Sequence, residues 1–160
     1  MSGRRVVVGV GNPYRGDDGA GLAVAELLRG RLPDGVELTE CADEPTRLLD
    51  AWDGADAALV VDAVASGGEP GTVHRFDASA EPIPARAFRS STHAFGIAEA
   101  IELSRALGTL PPRIVVYGIE GAAFTAGEGL TAPVEAAVGR AAEAVLDDIR
   151  DEEEPCTSKP

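Results

Sequence analysis

Short apolar runs rich in valine alternate along this chain with longer segments whose apolar residues recur at helical spacing. The runs are too apolar for strands with a solvent face, which is typical of buried strands in a parallel sheet. The predicted strands are residues 4–10, 36–38, 57–64, 72–76 and 114–119, with 72–76 nearer an edge. The predicted helices are residues 19–31, 44–52, 92–107 and 131–150.

This alternation of strands and helices determines the expected fold class. Helices between parallel strands have to cover both faces of the sheet. The sequence therefore predicts a three-layer α/β/α fold with a twisted, mostly parallel central sheet of about five strands, of the phosphorylase/hydrolase-like kind. At 160 residues the chain has the length of a single domain, which we place at residues 1–150, followed by an acidic disordered tail at 151–160.

The charge balance excludes several classes of partner. Lys and Arg total 14 and Asp and Glu total 27, giving a formal net charge of −13. Nucleic acids and anionic membranes require a basic face, so neither is an expected partner. No apolar stretch is long enough to span a bilayer and no signal peptide is evident, so we expect a soluble cytoplasmic protein. No oligomer seam stands out, which favours a monomer.

The candidate reactive residues follow predicted strands or begin a predicted helix. Asp17 and Asp18 come after the first strand, Asp62 lies at the end of the third, and His93 stands near the start of a helix. Ligands of open α/β sheets bind beyond the carboxyl ends of the strands. Two acids and an imidazole delivered there suit a borderline divalent metal.

Each of these residues also has a simpler interpretation. An acid directly before a helix is typical of an N-cap, and for Asp17 and Asp18 taken alone capping is favoured. A carboxylate in a buried strand is costly unless it is paired or binds a ligand, so Asp62 favours function. His74, on a short edge strand, is predicted to be structural, and Cys41 is predicted to be a small buried hydrophobe.

Familiar motifs for other chemistries do not fit this sequence. The dinucleotide fingerprint requires glycine where Tyr14 stands, and the phosphate-binding P-loop requires a lysine, whereas the chain has only Lys159 in its tail. The serine-hydrolase G-x-S-x-G elbow is absent. A receiver-like domain with Asp62 as phosphoacceptor stays an open alternative, although Lys159 cannot supply the lysine that such domains use.

The loop at residues 9–21, GVGNPYRGDDGAG, resembles that of the nickel–iron hydrogenase maturation endopeptidases. Further matches follow in order: LVVDA around Asp62, STHAFG around His93, VYGI before Glu120 and GLTAPV from Gly129. The resemblance covers residues 6–150, which is nearly the whole predicted domain.

This resemblance implies a concrete function. Members of the family remove a C-terminal extension from the hydrogenase large-subunit precursor after nickel has been inserted. The family's metal-contacting positions fall on Asp18, Asp62 and His93, which are then both the catalytic and the metal-binding residues. Nickel would arrive with the precursor, and other divalent metals could occupy the site. The alternative is a non-catalytic chaperone that binds nickel or the precursor on the same fold.

Two loops depart from the family pattern. Family members commonly carry a glycine-containing turn after the second strand, where this chain has residues 41–45, CADEP. The proline that commonly follows Gly-Ile-x is Gly121 here. Both changes lie in loops predicted to face the substrate, so they bear on which precursor is recognised.

Overall fold

A computed structural model describes residues 3–42, 47–79, 81–83, 96–127 and 129–153. Its strands are β1 (Arg5–Gly11), β2 (Val36–Ala42), β3 (Ala57–Val64), β4 (Val73–Asp77) and β5 (Arg113–Glu120). Its helices are a 3-10 turn (Gly16–Gly19), α1 (Ala20–Leu28), α2 (Arg47–Trp52), α3 (Ile97–Leu107) and α4 (Ala132–Glu153).

The strands form one five-stranded sheet in the order β2-β1-β3-β5-β4. The pairs β1–β2, β1–β3 and β3–β5 are parallel, and only β4 runs antiparallel to its neighbour β5. The α/β fold with a mostly parallel central sheet that the sequence predicted is therefore confirmed. The carboxyl ends of β1, β3 and β5 meet at one edge of the sheet.

Within the described residues, the ends of several elements differ from the sequence prediction, and β2, which was predicted at 36–38, continues to Ala42. Helix α1 ends at Leu28 because Arg29 turns to an extended conformation and Gly30 adopts a φ of 84°. Helix α4 continues to Glu153 and so enters the stretch predicted to be a disordered tail. Glutamate is a good helix former, so an acidic end can extend the helix. The predicted starts of α2 at 44 and α3 at 92 lie outside the described residues.

Each face of the sheet packs on its own pair of helices. Val8, Val60 and Val116 belong to a core with residues of α2 and α3, where the Trp52 indole donates to Ser104 Oγ at 2.9 Å. Val7, Val61 and Val115 belong to a second core with α1 and α4. Alternate side chains of each strand therefore pack into opposite cores, because successive side chains of a strand point to opposite faces of the sheet.

A buried polar network ties α4 to the sheet on the second face. Asp148 on α4 is 8% exposed and accepts two hydrogen bonds of 2.9 Å from Arg75 on β4. The Tyr117 hydroxyl of β5 donates to the same carboxylate, and Arg113 approaches it to 3.6 Å. Burial alone raises the pKa of Asp148, but the hydrogen bonds from Arg75 and Tyr117 outweigh burial and lower it.

A close approach between helix α1 and the sheet positions the loop that follows β1. A Cβ on Gly21 would lie 2.3 Å from the carbonyl oxygens of both Val10 and Val61. Only glycine fits there, so the first turn of α1 rests directly on β1 and β3. Within the described residues, no helix is long and apolar enough to cross a membrane.

Candidate active site

Asp17 joins two loops at the carboxyl edge of the sheet. Its carboxylate accepts four hydrogen bonds, from the amides of Ala122, Ala123 and Thr131 and from the Thr131 hydroxyl, at 2.8–3.0 Å. The residue is 0% exposed. Burial alone raises the pKa of Asp17, but these hydrogen bonds outweigh it and hold the pKa below its usual range. The loop after β1 is thereby fixed to the loop between β5 and α4.

This arrangement corrects the prediction that Asp17 or Asp18 caps a helix. The N-cap residues of the 3-10 turn and of α1 are Arg15 and Gly19, and neither cap carries a side-chain hydrogen bond. The amides that donate to the Asp17 carboxylate instead lie more than 100 residues away in sequence. Thr131 directly precedes α4, and its hydroxyl donates to Asp17.

Asp18 and Asp62 form the acidic centre of the site. Asp18 is 7% exposed and lies in the 3-10 turn, which Asn12 closes by donating its amide to the Asp18 carbonyl at 3.1 Å. Asp62 is the only partly exposed residue of β3, and its Oδ1 accepts from the Ala63 amide at 2.7 Å. The burial of its carboxyl group and the nearby charge of Asp18 raise the pKa of Asp62 well above its usual range.

The proximity of these two carboxylates is what a cation site requires. Two like charges destabilise each other, and a divalent cation between them would remove that repulsion. The third predicted ligand, His93, lies outside the described residues. Within the described part of the chain, no group of three His, Cys, Asp or Glu side chains could hold a metal ion. The ligand set of Asp18, Asp62 and His93 therefore stays a prediction.

Glu120 organises a second loop at this edge, a role that the sequence did not predict. It ends β5, is 1% exposed and accepts from the Ser66 amide at 2.7 Å, the Ser66 hydroxyl at 2.5 Å and the Gly67 amide at 3.2 Å. His74 Nε2 lies 3.0 Å from its Oε1. Burial alone raises the pKa of Glu120, but the hydrogen bonds from Ser66 and His74 outweigh it and lower the pKa.

The signal for Glu120 was available in the sequence. It is an acid at the end of a buried apolar strand, which is the pattern that singled out Asp62. The loop that it holds connects β3 to β4 and passes the end of β5, where the amide of Gly71 donates to the Glu120 carbonyl at 2.8 Å. Asp62 and Glu120 thus both lie at the carboxyl edge of the sheet. They differ in their hydrogen bonds, because Glu120 accepts from several donors and Asp62 accepts from the Ala63 amide.

Gly121, where family members commonly have proline, lies in a position with little space for a side chain. A Cβ at this position would lie 2.5 Å from the Phe124 ring and 3.1 Å from the Asp17 Cβ. Glycine therefore allows Phe124 to fold back over the start of the β5–α4 loop. In the other loop that differs from the family pattern, residues 41–45, Cys41 is buried in the first core, as predicted. Residues 43–46 lie outside the described residues.

The fold and this edge define a class: an α/β protein with helices on both faces of its sheet and acidic side chains at the carboxyl edge of its parallel strands. The family model described as hydrogenase maturation protease matches residues 22–148, a range that includes Asp62 and begins after the β1 loop. The chain belongs to the hydrogenase maturation protease family, as the resemblance predicted.

Individual relatives agree with this assignment. The chain is 31% identical over 152 residues to the hydrogenase 2 maturation protease of Escherichia coli, covering 92% of each. It is 32% identical over 134 residues to the hydrogenase expression/formation protein HupM of Azotobacter chroococcum, covering 82% of this chain but only 64% of that relative. The solved E. coli maturating endopeptidase HybD superposes with a TM-score of 0.82 at 29% identity, covering 93% of each chain.

Proposed function

We propose that this protein is an endopeptidase that removes the C-terminal extension of a nickel–iron hydrogenase large-subunit precursor after nickel insertion. Its family is one of proteases, which supports a hydrolase. The observation that carries the chemistry is the placement of Asp18 and Asp62 at one edge of the sheet, where the 3-10 turn that carries Asp18 packs against β3, the strand that carries Asp62. Such a pair suits a divalent cation presented by the substrate.

The residues of this chain would divide the work as follows. Asp18 and Asp62, with His93 as the predicted third ligand, would hold the nickel of the precursor and orient the scissile peptide bond beside it. Nickel supplies Lewis-acid chemistry, polarising the peptide carbonyl or lowering the pKa of water. Asp17 fixes the Asp18 loop, and Glu120 fixes the loop that follows β3. Cleavage would then depend on prior nickel insertion.

The test is an intact-mass cleavage assay. The protein is mixed with a large-subunit precursor from the same cell, with and without nickel loading. We expect loss of a C-terminal peptide from the nickel-loaded precursor only. Stable binding with no loss of mass would instead support the non-catalytic chaperone. The receiver-like alternative is tested separately by incubation with acetyl phosphate and magnesium, where a phosphoryl adduct on Asp62 would support it. Cleavage without nickel would contradict the nickel-dependent mechanism.

Site variants sharpen this assay. Asp62→Asn removes one charge from the pair at nearly constant volume, so we expect it to abolish cleavage while the far-UV circular dichroism and melting temperature stay close to wild type. The matched control is Asp147→Asn, an exposed acid on α4 that pairs with Arg150 at 2.7 Å. Asp147→Asn should cleave at the wild-type rate. Normal cleavage by Asp62→Asn would rule out its proposed role.

A further inference from the structure

An exposed aromatic side chain lies beside the acidic centre. Tyr14 is 64% exposed and occupies the loop between β1 and the 3-10 turn, shortly before Asp17 and Asp18. Tyrosine combines a large contact area with few rotatable bonds, which is why it is frequent at the energetic centres of interfaces. A single exposed aromatic is ordinary on a protein surface, so its setting decides whether it has a role.

The backbone that carries Tyr14 is held on both sides. Its amide donates to Asn12 Oδ1 at 2.9 Å, and its carbonyl accepts from the Gly127 amide at 2.8 Å. The Gly16 amide donates in turn to the Gly127 carbonyl at 2.8 Å, which makes a parallel bridge between Arg15 and Gly127. The ring therefore projects from a fixed backbone, so binding does not have to order the loop.

The loop segments around Tyr14 contain few charged side chains, and the nearest in sequence, Arg15, is only partly exposed. We define the Tyr14 rim as residues 12–14 and 121–127, a set without an ionisable side chain other than Tyr14 itself in a chain of net charge −13. Ala122, Thr125 and Ala126 of this rim are exposed. The rim is continuous with the acidic centre, because Asp17 accepts hydrogen bonds from Ala122 and Ala123 and adjoins Asp18.

We propose that the Tyr14 rim binds the precursor polypeptide next to its scissile bond, with the Tyr14 ring packed against an apolar side chain of that segment. This inference rests on the proposed function. A polypeptide whose peptide bond reaches Asp18 and Asp62 has to cross the surface beside them, and the rim is an adjoining surface that offers apolar contact on a fixed backbone. The side chains of the rim itself are uncharged and several of them are apolar, so the rim fits an apolar segment of the precursor.

The first test is the affinity for nickel-free precursor, measured by isothermal titration calorimetry with the full-length protein. We expect Tyr14→Ser to raise Kd about tenfold, which corresponds to about 1.4 kcal/mol. Tyr14→Phe keeps the ring and should stay within about twofold of wild type. Thr125→Glu, which adds a charge to the second part of the rim, should also weaken binding. In cleavage assays the loss in kcat/KM of Tyr14→Ser should fall mainly on KM.

Leu107→Ser is the matched control, because Leu107 is 61% exposed and ends α3 at the opposite edge of the sheet. Its Kd should equal that of wild type, and all variants should melt within about 2 °C of one another, since each changes an exposed side chain. Wild-type affinity of Tyr14→Ser would overturn the proposal, as would equal weakening by Leu107→Ser. If wild type binds the nickel-loaded precursor without cleaving it, the proposed function fails while these affinities still decide the role of the rim. Failure of wild type to bind the nickel-free precursor would overturn the role of the rim, and cleavage of the nickel-loaded precursor would still decide the proposed function.

Discussion

The loop connection made by Asp17 gives a stability prediction that separates it from its neighbour Asp18. Asp17→Asn keeps the size of the side chain but removes its charge and turns one acceptor oxygen into a donor. An asparagine oxygen at the Oδ2 position still accepts from Ala122, Ala123 and the Thr131 hydroxyl. Its amide then faces the Thr131 N–H, which donates to Oδ1 in the wild type at 2.8 Å. The Thr131 N–H and the new side-chain amide are then both buried donors without an acceptor.

The expected magnitude follows from the energetics of charged hydrogen bonds. A buried donor that loses a charged acceptor costs about 1.5–3 kcal/mol, and relief from burying the charge offsets part of this loss. We expect Asp17→Asn to lower the free energy of unfolding by about 2 kcal/mol, and Asp17→Ala, which leaves all the donors without an acceptor, by about 4 kcal/mol. For a chain of this size, 2 kcal/mol corresponds to a melting temperature lower by about 4–8 °C.

The measurement is urea unfolding followed by the fluorescence of Trp52, the only tryptophan, which is fully buried in the first core. The control is Asp147→Asn, whose exposed ion pair with Arg150 should contribute less than about 0.5 kcal/mol. If Asp17→Asn unfolds within about 0.5 kcal/mol of wild type, the inference that Asp17 holds the two loops together is refuted. A larger loss for Asp17→Asn than for Asp17→Ala would contradict the counting of donors.

Two further predictions concern the packing around the sheet. The pKa of Asp148 is lowered because the hydrogen bonds from Arg75 and Tyr117 outweigh burial. The ionised carboxylate therefore stabilises the fold above the unfolded-state pKa of about 3.9. This stabilisation is lost as the pH falls through the lower folded-state pKa. Asp148→Asn should therefore be less stable than wild type by about 2 kcal/mol at pH 7, with a difference that shrinks below about pH 4 in urea titrations. Gly21→Ala should lower the free energy of unfolding by at least about 3 kcal/mol in thermal unfolding, because its Cβ would lie 2.3 Å from strand carbonyl oxygens. Gly139→Ala in α4 is the control: its Cβ would have nothing within 4 Å, so it should raise the free energy of unfolding by up to about 1 kcal/mol.

The centre of the sheet was predictable from sequence because β1, β3 and β5 are buried on both faces, whereas the edge strands β2 and β4 are partly exposed. Strand β3 was placed at 57–64, as observed, since a run of small and β-branched apolar residues has well-defined ends. Helix ends were less predictable: α1 stops at Leu28 because of backbone conformations at Arg29 and Gly30 that apolar periodicity does not encode. The side of the sheet that carries the site followed from topology alone, because parallel strands deliver their carboxyl ends to one edge.

The roles of individual acids were harder to predict, because they depend on partners that are distant in sequence. Asp17 and Asp18 are adjacent and identical, yet the side chain of Asp17 accepts the amides of a loop more than 100 residues away. The prediction that one of them caps α1 used only local sequence, so it missed these partners. The position of Glu120 at the end of a buried strand was visible in the sequence, but its role was not, since its donors Ser66 and Gly67 lie in the distant β3–β4 loop.

The buried acids at and near the sheet fall into two groups that differ in what surrounds them. Asp17, Glu120 and Asp148 accept several donors each, and in all three the hydrogen bonds outweigh burial, so the pKa is lowered. Asp62 shows the opposite direction, because burial and the charge of Asp18 outweigh its one backbone hydrogen bond. A carboxylate that holds loops together needs donors around it, whereas one that binds a cation must keep its oxygens available. Carboxylates thus hold loops together at Asp17 and Glu120, whereas the carboxylate of Asp62 is the one that we propose to bind a ligand.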